Sequence, residues 1–346
     1  MKSNPTGIFE RYHSMQDDEW ADKLRKSATQ QEIDGVVFPG VPSDEFQRRF
    51  VGSTLAENVA EPLLYYKSIK AKYAEIGAEF TEKTRLLDVG SGWGRIIRFF
   101  LKDLRPDHLF GCDVSKDSVE ICNGLFHGAL DFKLIKAIPP SQYEEDFFDL
   151  VEGYSVFSHL SLYAATMWMN EYCRILKPGG LLALTVWKEK RLDYIASLQK
   201  EPTAPKDKDR YKYIMQTSFS EQCMLEKRLY KTTGIVYVPY SDDIKSTYGE
   251  AFLSPSLLQD HWAGIFEYLG TVPLEVDQQI VFFRKKMDAR IYEKDVLDMI
   301  GKMAAIADSL AVIMHSFYEA GRIESRKSVA QGSLKSRIWK LICKIT

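Results

Sequence analysis

From Arg85 to Phe283, short apolar runs alternate with segments of helical period, and this alternation limits the possible folds more than any other feature. Arg85-Leu86-Leu87-Asp88-Val89 reads as a strand ending in a glycine-rich turn, followed by helical Ile96 to Leu101. His108 to Asp113 is a second strand, and Ser115 is placed to cap a helix running to Leu125. Phe132 to Ile135 and Phe148 to Gly153 read as a third and a fourth strand. Leu162 to Leu176 is helical until Lys177-Pro178-Gly179-Gly180 stops it, and Leu181 to Trp187 is a buried strand. Strands alternating with helices predict βαβ units and therefore an α/β fold with a doubly wound, mostly parallel sheet.

The flanks are different. Residues 1–84 read as mainly helical, broken at Phe38-Pro39-Gly40-Val41-Pro42, with Ser43 an N-cap and Asp44 and Glu45 favourable in the first turn that follows. After Trp187 the charged stretch Lys200 to Asp207 reads as a solvated insertion. Ser256 to Leu269 is helical in pattern, Ile280 to Phe283 is a last strand, and helical pattern resumes beyond Lys286.

The 46 basic and 48 acidic residues leave a net charge of −2, which argues against a nucleic-acid partner recruited by overall field. The five cysteines are odd in number and form no C-x-x-C pair, so neither a disulfide framework nor a zinc knuckle is signalled. No His/Asp/Glu cluster has metal-ligand spacing, and no metal is expected. The start is polar, and no run of about 18 apolar residues occurs, so the expectation is a cytoplasmic protein made and kept inside the cell.

Asp88-Val89-Gly90-Ser91-Gly92-Trp93-Gly94 follows a strand and opens a helical segment. Glycines allow the tight turn and a close approach of ligand to backbone, while a helix start offers free amides. Arg95 stands where a dinucleotide fingerprint would carry its third glycine, which argues against NAD or FAD. Asp113 closes the second strand 23 residues after Gly90, where a carboxylate can accept both ribose hydroxyls of an adenosine ligand. Tight-turn packing and helix capping are the plain structural alternatives for these two features.

Leu86 to Arg95 resembles the first motif of the class I S-adenosylmethionine-dependent methyltransferases, and Asp113 matches that family's ribose-binding acid. Phe148-Asp149-Leu150-Val151 with Ser155 to Leu160 is similar to its fourth-strand motif, and Ile175 to Leu182 to the motif that follows. The resemblance covers about residues 50–285. It implies a Rossmann-like, mostly parallel seven-stranded sheet with helical N- and C-terminal extensions, and S-adenosylmethionine as methyl donor. The expected organisation is a helical arm or cap (1–49), a methyltransferase domain (50–286) with an insertion near 189–247, a helical, coiled-coil-like extension (287–325) and a basic amphipathic tail (326–346).

The donor-binding residues the resemblance implies are Asp88, Gly90, Ser91, Gly92, Trp93, Gly94, Asp113, Val114, Glu152 and Tyr154. The family often has an acid after the third strand for the adenine amino group. Here Lys136-Ala137-Ile138-Pro139-Pro140 supplies none, so Ala137 and Ile138 are read as apolar packing for adenine. A sulfonium donor is already activated, and the protein's task is to align a nucleophile with the methyl group. A hydroxyl acceptor also benefits from a base, for which His159, just past the fourth strand, is the candidate. A helix-start histidine bonded to backbone is the plain alternative. Tyr248 to Ser254 resembles a stretch near the acceptor pocket of relatives, and equally reads as a loop packing two aromatics.

The reading reached is O-methylation of a sugar or glycan intermediate. A donor-binding scaffold without turnover, or methylation of another small molecule, stays open. Tyr292, Val296, Met299, Met303, Ile306, Leu310, Ile313 and Phe317 form an a/d seam suited to a homodimer or a helix laid on the domain. Residues 322–346 carry seven basic side chains against Glu324 alone. The tail is similar, over a short stretch, to C-terminal tails of bacterial surface-polysaccharide enzymes, and its amphipathic pattern allows peripheral contact with the inner membrane face or docking on another subunit.

Overall fold

A computed structural model describes residues 7–240 and 247–289. The 292–317 seam and the 326–346 tail lie outside the described residues. The chain divides into two compact units. The first holds the described residues up to Phe157, Asn170–Thr185 and Phe266–Ala289. The second holds, among the described residues, Ser158–Met169 and Val186–Ile265.

The described residues open with α1 (Gly7–Tyr12), α2 (Asp17–Ser27), a small hairpin of β1 (Glu32–Ile33) and β2 (Val36–Val37), α3 (Asp44–Val51) and α4 (Ala60–Glu75). Ser43 caps α3 as expected, its hydroxyl accepting from the Phe46 amide at 3.3 Å. Then come β3 (Leu86–Val89), β4 (Leu109–Asp113), α5 (Lys116–Leu125), β5 (Asp131–Leu134), β6 (Phe148–Gly153), α6 (Leu162–Ile175) and β7 (Leu176–Trp187). Next come α7 (Arg191–Leu198), α8 (Arg210–Thr217), α9 (Met224–Thr233), β8 (Ile235–Pro239) and β9 (Gly249–Leu253). After α10 (Pro255–His261), β10 (Phe266–Pro273) and β11 (Gln278–Lys285) end the described chain.

The main sheet has seven strands in the order β10-β11-β7-β6-β3-β4-β5. Its pairs β3–β4, β3–β6, β4–β5 and β6–β7 are parallel, and β10–β11 is antiparallel. This is the Rossmann-like arrangement expected. All four residues of β3 are buried, as befits a central parallel strand covered on both faces. Trp20, Leu24, Tyr65, Tyr66 and Ile69 of the N-terminal helices share one apolar core with Leu86, Leu109, Leu150, Leu181, Ile280 and Phe282. Each such side chain stabilises the fold by roughly 1.5–3 kcal/mol when withdrawn from water, so α2 and α4 belong to the sheet's own core.

Three sequence expectations are corrected. Ile97–Lys102 is a 3₁₀ rather than an α-helix. Three-residue hydrogen bonds hold it (Phe99 to Ile96, 3.0 Å; Asp103 to Phe100, 3.0 Å), and the Arg98 guanidinium takes the Gly94 carbonyl at 2.9 Å, fixing the preceding turn. Lys177-Pro178-Gly179-Gly180 lies inside β7 and not between elements. The register jumps from Phe148↔Leu176 to Leu150↔Leu181, so these residues are absorbed as a bulge with Gly179 at φ +79°. The helix expected over Ser256 to Leu269 stops at His261, and Phe266 onward is β10. There Phe266 and Tyr268 pack on Phe283 with ring centroids 5.9 and 5.8 Å apart, a cross-strand gain that outweighs local helical period.

In the second unit α7, α8 and α9 enclose Leu192, Ile195, Met215, Phe219, Leu229 and Phe252. The hairpin β8–β9 runs antiparallel from Ile235↔Leu253 to Pro239↔Gly249. The charged stretch Lys200 to Asp207 is exposed except at Ala204, as a solvated segment should be, yet the insertion around it has an apolar core of its own.

Candidate functional site

Strand order places the site. The chain runs β3, β4, β5 toward one edge, then returns with β6 to the other side of β3. The switch point lies between β3 and β6, and in open α/β sheets ligands bind outside the carboxyl ends of the strands at such a point. Those ends carry Gly90 and Tyr154.

The glycine turn is tied to the neighbouring strand. The amides of Gly90 and Ser91 both donate to the Cys112 carbonyl, at 2.7 and 3.1 Å, and Gly94 donates to Ser91 at 2.7 Å. Gly90 and Gly92 sit at φ +72° and +56°, a region L side chains avoid. A Cβ on Gly90 would stand 2.6 Å from Val156 Cγ2, and one on Gly92 3.0 Å from the Phe50 ring. The turn therefore leaves a cradle of bare backbone that any larger residue would fill.

Asp113 ends β4 beside this turn. Its Oδ2 accepts from the Gly92 amide at 2.9 Å and its Oδ1 from the Ser115 amide at 2.8 Å. Burial raises its pKa, opposed by those backbone amides. The next residue, Val114, is 56% exposed, an unusual state for valine and one that leaves an apolar face beside the carboxylate. Leu134, the register partner of Asp113 on β5, is likewise exposed. Ala137 is exposed and Ile138 half-buried on the segment after β5. Ser91 is buried. The Trp93 ring is buried as well, packed 4.8 Å from the Arg98 guanidinium, so what it offers at the turn is backbone.

Asp88 and Glu152 lie opposite each other on β3 and β6 in register, both fully enclosed. They share a side-chain hydrogen bond, and neither Asp88 Oδ2 nor Glu152 Oε1 has another donor. Two carboxylates can bond only through a proton, so the pair holds one. Burial pushes both pKa values up; Asp88 raises Glu152 further, whereas the bond from Glu152 pulls Asp88 back. Tyr65 of α4 donates to Glu152 at 3.0 Å. Tyr154 presents its hydroxyl to Glu61, which also pairs with Arg95 at 3.0 Å.

Four residues at this site escape sequence reading. Glu61 and Tyr65 come from α4 and Phe50 from α3, brought in by packing; the only trace of Phe50 is its exposure, 53%, high for phenylalanine. Leu134 had a signal, an apolar residue at a strand end where the chain turns outward.

His159 belongs to the second unit, six residues beyond β6 in the chain. Its Nδ1 lies 2.9 Å from the Gly249 carbonyl. A carbonyl only accepts, so Nδ1 carries the proton and Nε2 keeps a lone pair. Burial lowers the His159 pKa to about 4, with the Gly249 bond opposing and the Arg191 charge assisting. Rings of Trp187, Tyr240 and Tyr248 surround it at 6.2, 5.9 and 5.1 Å. The structure thus gathers Asp88, Gly90 to Gly94, Asp113, Glu152 and Tyr154 in the first unit and sets His159 in the second.

Among the described residues no group of three His, Cys, Asp or Glu side chains is placed to hold a metal ion, and no helix is long and apolar enough to cross a membrane. Cys112, Cys122, Cys173 and Cys223 are free and buried.

Residues 86–180 match the methyltransferase-domain family. A tRNA (carboxymethyluridine(34)-5-O)-methyltransferase of Arabidopsis thaliana is 31% identical over 110 residues, covering 31% of this chain and 25% of that protein. The chain therefore spans about a quarter of the length of this curated relative. Among solved structures, a SAM-dependent methyltransferase of Methanosarcina mazei aligns with TM-score 0.40 at 16% identity, covering 62% of this chain and 99% of its own. PKMT2 of Rickettsia typhi, in complex with AdoHcy, aligns with TM-score 0.42 at 14% identity, covering 68% and 56%.

Proposed function

We propose that this chain, which carries a class I S-adenosylmethionine-dependent methyltransferase domain, transfers a methyl group to a hydroxyl of a small molecule, with a sugar or glycan intermediate the favoured acceptor. The observation that carries the donor assignment is the Gly92–Asp113 bond, which fixes a bare-backbone cradle beside a strand-end carboxylate at the switch point of the sheet. In this reading Gly90, Ser91, Gly92, Trp93 and Gly94 offer backbone to the donor's amino-acid part. Asp113 accepts its ribose hydroxyls, and Val114, Ala137 and Ile138 pack against its adenine. Asp88 and Glu152 are buried too deeply to touch it and serve as the proton-sharing floor of the turn, while Tyr154, with Glu61 and Arg95, flanks it. S-adenosylmethionine supplies an electrophilic methyl on sulfur, so the chain need only orient donor and acceptor and take up the acceptor proton. His159, with Nδ1 committed to Gly249 and Nε2 bare, suits that last task.

The Arabidopsis relative acts on a tRNA uridine, and its match is confined to 110 residues. The near-neutral charge of this chain favours a small acceptor, and a tRNA fraction belongs in the test beside glycan and small-metabolite fractions. Calorimetric titration should show binding of S-adenosylmethionine and its demethylated product, abolished by Gly90→Arg and weakened at least tenfold by Asp113→Ala. Folded protein that binds neither ligand sinks the reading. Labelled methyl should then pass from donor into one cell-extract fraction, and His159→Ala should lower that turnover by about 10²-fold with donor affinity kept. Donor binding without turnover into any fraction leaves a scaffold.

A further inference from the structure

The second unit contains an arrangement that the donor assignment does not use. Glu250, on β9, has a side chain with no exposure at all. Its Oε2 accepts from the Tyr240 hydroxyl and lies 3.9 Å from His159 Nδ1. The same Tyr240 hydroxyl is 3.3 Å from that nitrogen. Its Oε1 faces Arg191 Nε of α7 at 3.7 Å and the Tyr211 hydroxyl of α8 at 3.5 Å. The preceding residue, Gly249, supplies the carbonyl bonded to the ring. One strand thus directs a carbonyl and, through a phenol, a carboxylate at a single nitrogen of His159.

We infer that Glu250, acting through Tyr240, is the positioning group for His159: it holds the ring with Nδ1 protonated and Nε2 bare, and supplies the counter-charge when Nε2 takes a proton. This rests on the reading of His159 as the base. A carboxylate that does not touch substrate can still orient an imidazole, select its tautomer and stabilise the imidazolium that forms. The groups facing Glu250 account for its charge state. Burial pushes its pKa up to about 7, while hydrogen bonds from Tyr240 and Tyr211 and the charge of Arg191 pull it back. The counter-charge is therefore present above neutrality and withdrawn below it, so the base should work better on the alkaline side.

The test needs no acceptor. Full-length protein labelled with nitrogen-15 histidine is followed by NMR from pH 5 to 9, with His159→Gln identifying the ring signals. The wild type should show an Nδ1-protonated ring at neutral pH whose shifts inflect near pH 7. Glu250→Gln should lose that inflection. Tyr240→Phe, which keeps the ring but removes the donor to Glu250, should move the inflection to higher pH and populate the other tautomer. An Nε2-protonated ring in the wild type, or an inflection unchanged in Glu250→Gln, overturns the inference. Labelled-methyl turnover is read in parallel. Glu250→Gln should be about tenfold slower above pH 7 and approach wild type below pH 6. Equal turnover of Glu250→Gln and wild type at every pH overturns the positioning role. Unchanged turnover in His159→Ala instead removes the base itself, so the two failures are told apart.

Discussion

Glu152 and Glu250 are both wholly buried carboxyls on strands, one in each unit, and their surroundings give them opposite uses. Glu152 has one hydroxyl donor, Tyr65, and its closest charged neighbour is another acid, Asp88. Glu250 has Tyr240, Tyr211 and the Arg191 guanidinium around it. Burial alone raises both. The difference is what opposes burial: next to a second carboxyl the cheapest state is a shared proton, whereas next to hydroxyls and a cation ionisation returns near neutrality. In the function proposed here, the first arrangement is a rigid floor beneath the glycine turn. The second serves a group whose charge must come and go.

The sharpest way to break that contrast is Glu152→Ala. It removes the proton-sharing partner and leaves Asp88 enclosed with nothing opposite, while the Tyr65 hydroxyl keeps only its 3.3 Å bond to the Ala183 carbonyl. Unfolding by urea at pH 7 should show a loss of about 3–5 kcal/mol, the usual consequence of stranding a buried charge. A loss below about 1 kcal/mol would mean that water reaches the pair.

A smaller effect is expected in the pH dependence of stability. Asp88 and Glu152 both have folded-state pKa values above their unfolded ones, so the folded chain holds the extra proton. Their contribution to stability is complete below about pH 4 and is lost as pH rises through the raised value of the pair. Stability should therefore fall on going from mildly acid to alkaline conditions. Glu152→Gln, whose amide donates to Asp88 without a titrating proton, should flatten that fall. An identical slope in the variant would place the shared proton elsewhere.

How far such a contrast could be foreseen depends on where the partners sit in the chain. The turn at Gly90, Gly92 and Gly94 and the strand-end place of Asp113 were legible, because turn conformation demands glycine locally and a strand-end acid has a fixed place in a βαβ unit; that Asp88 is sealed beneath the turn was not. Glu152 was legible as a strand end, but its role was not, because Tyr65 reaches it from 87 residues away. Glu61 reaches Arg95 across 34 residues in the same manner. Glu250 stood in a stretch that read equally well as a packing loop, since nothing in sequence reveals that Arg191, Tyr211 and Tyr240 converge on it. Elements failed where tertiary pairing overrode local period, as at Phe266 to Leu269, or where one strand absorbed a turn signal, as at Lys177 to Gly180.

Tyr65→Phe sharpens the first half of the contrast. It leaves the ring packing intact and removes the single hydroxyl bonded to Glu152 at 3.0 Å. The expected cost is about 1–2 kcal/mol in urea unfolding, the range for a buried acceptor deprived of its donor. No cost would show that the shared proton with Asp88 already satisfies Glu152.

Tyr211→Phe addresses the second half and should have the smallest effect. The Tyr211 hydroxyl is 3.5 Å from Glu250 Oε1, at the outer limit of a hydrogen bond, while Tyr240 bonds the other oxygen closely. Tyr211 also takes a hydrogen bond from Arg191, and losing it lets the guanidinium, already 3.7 Å from Glu250, draw closer and compensate. The two consequences oppose each other: a lost donor raises the Glu250 pKa, and a closer cation lowers it. Stability should change by less than about 0.5 kcal/mol, and the His159 inflection near pH 7 should stay within a few tenths of a unit of wild type, in contrast with the clear upward move in Tyr240→Phe. Should Tyr211→Phe move the inflection as far as Tyr240→Phe does, the carboxylate would be governed by the helix α8 side of the cluster, and the path from Glu250 to His159 would not run through Tyr240.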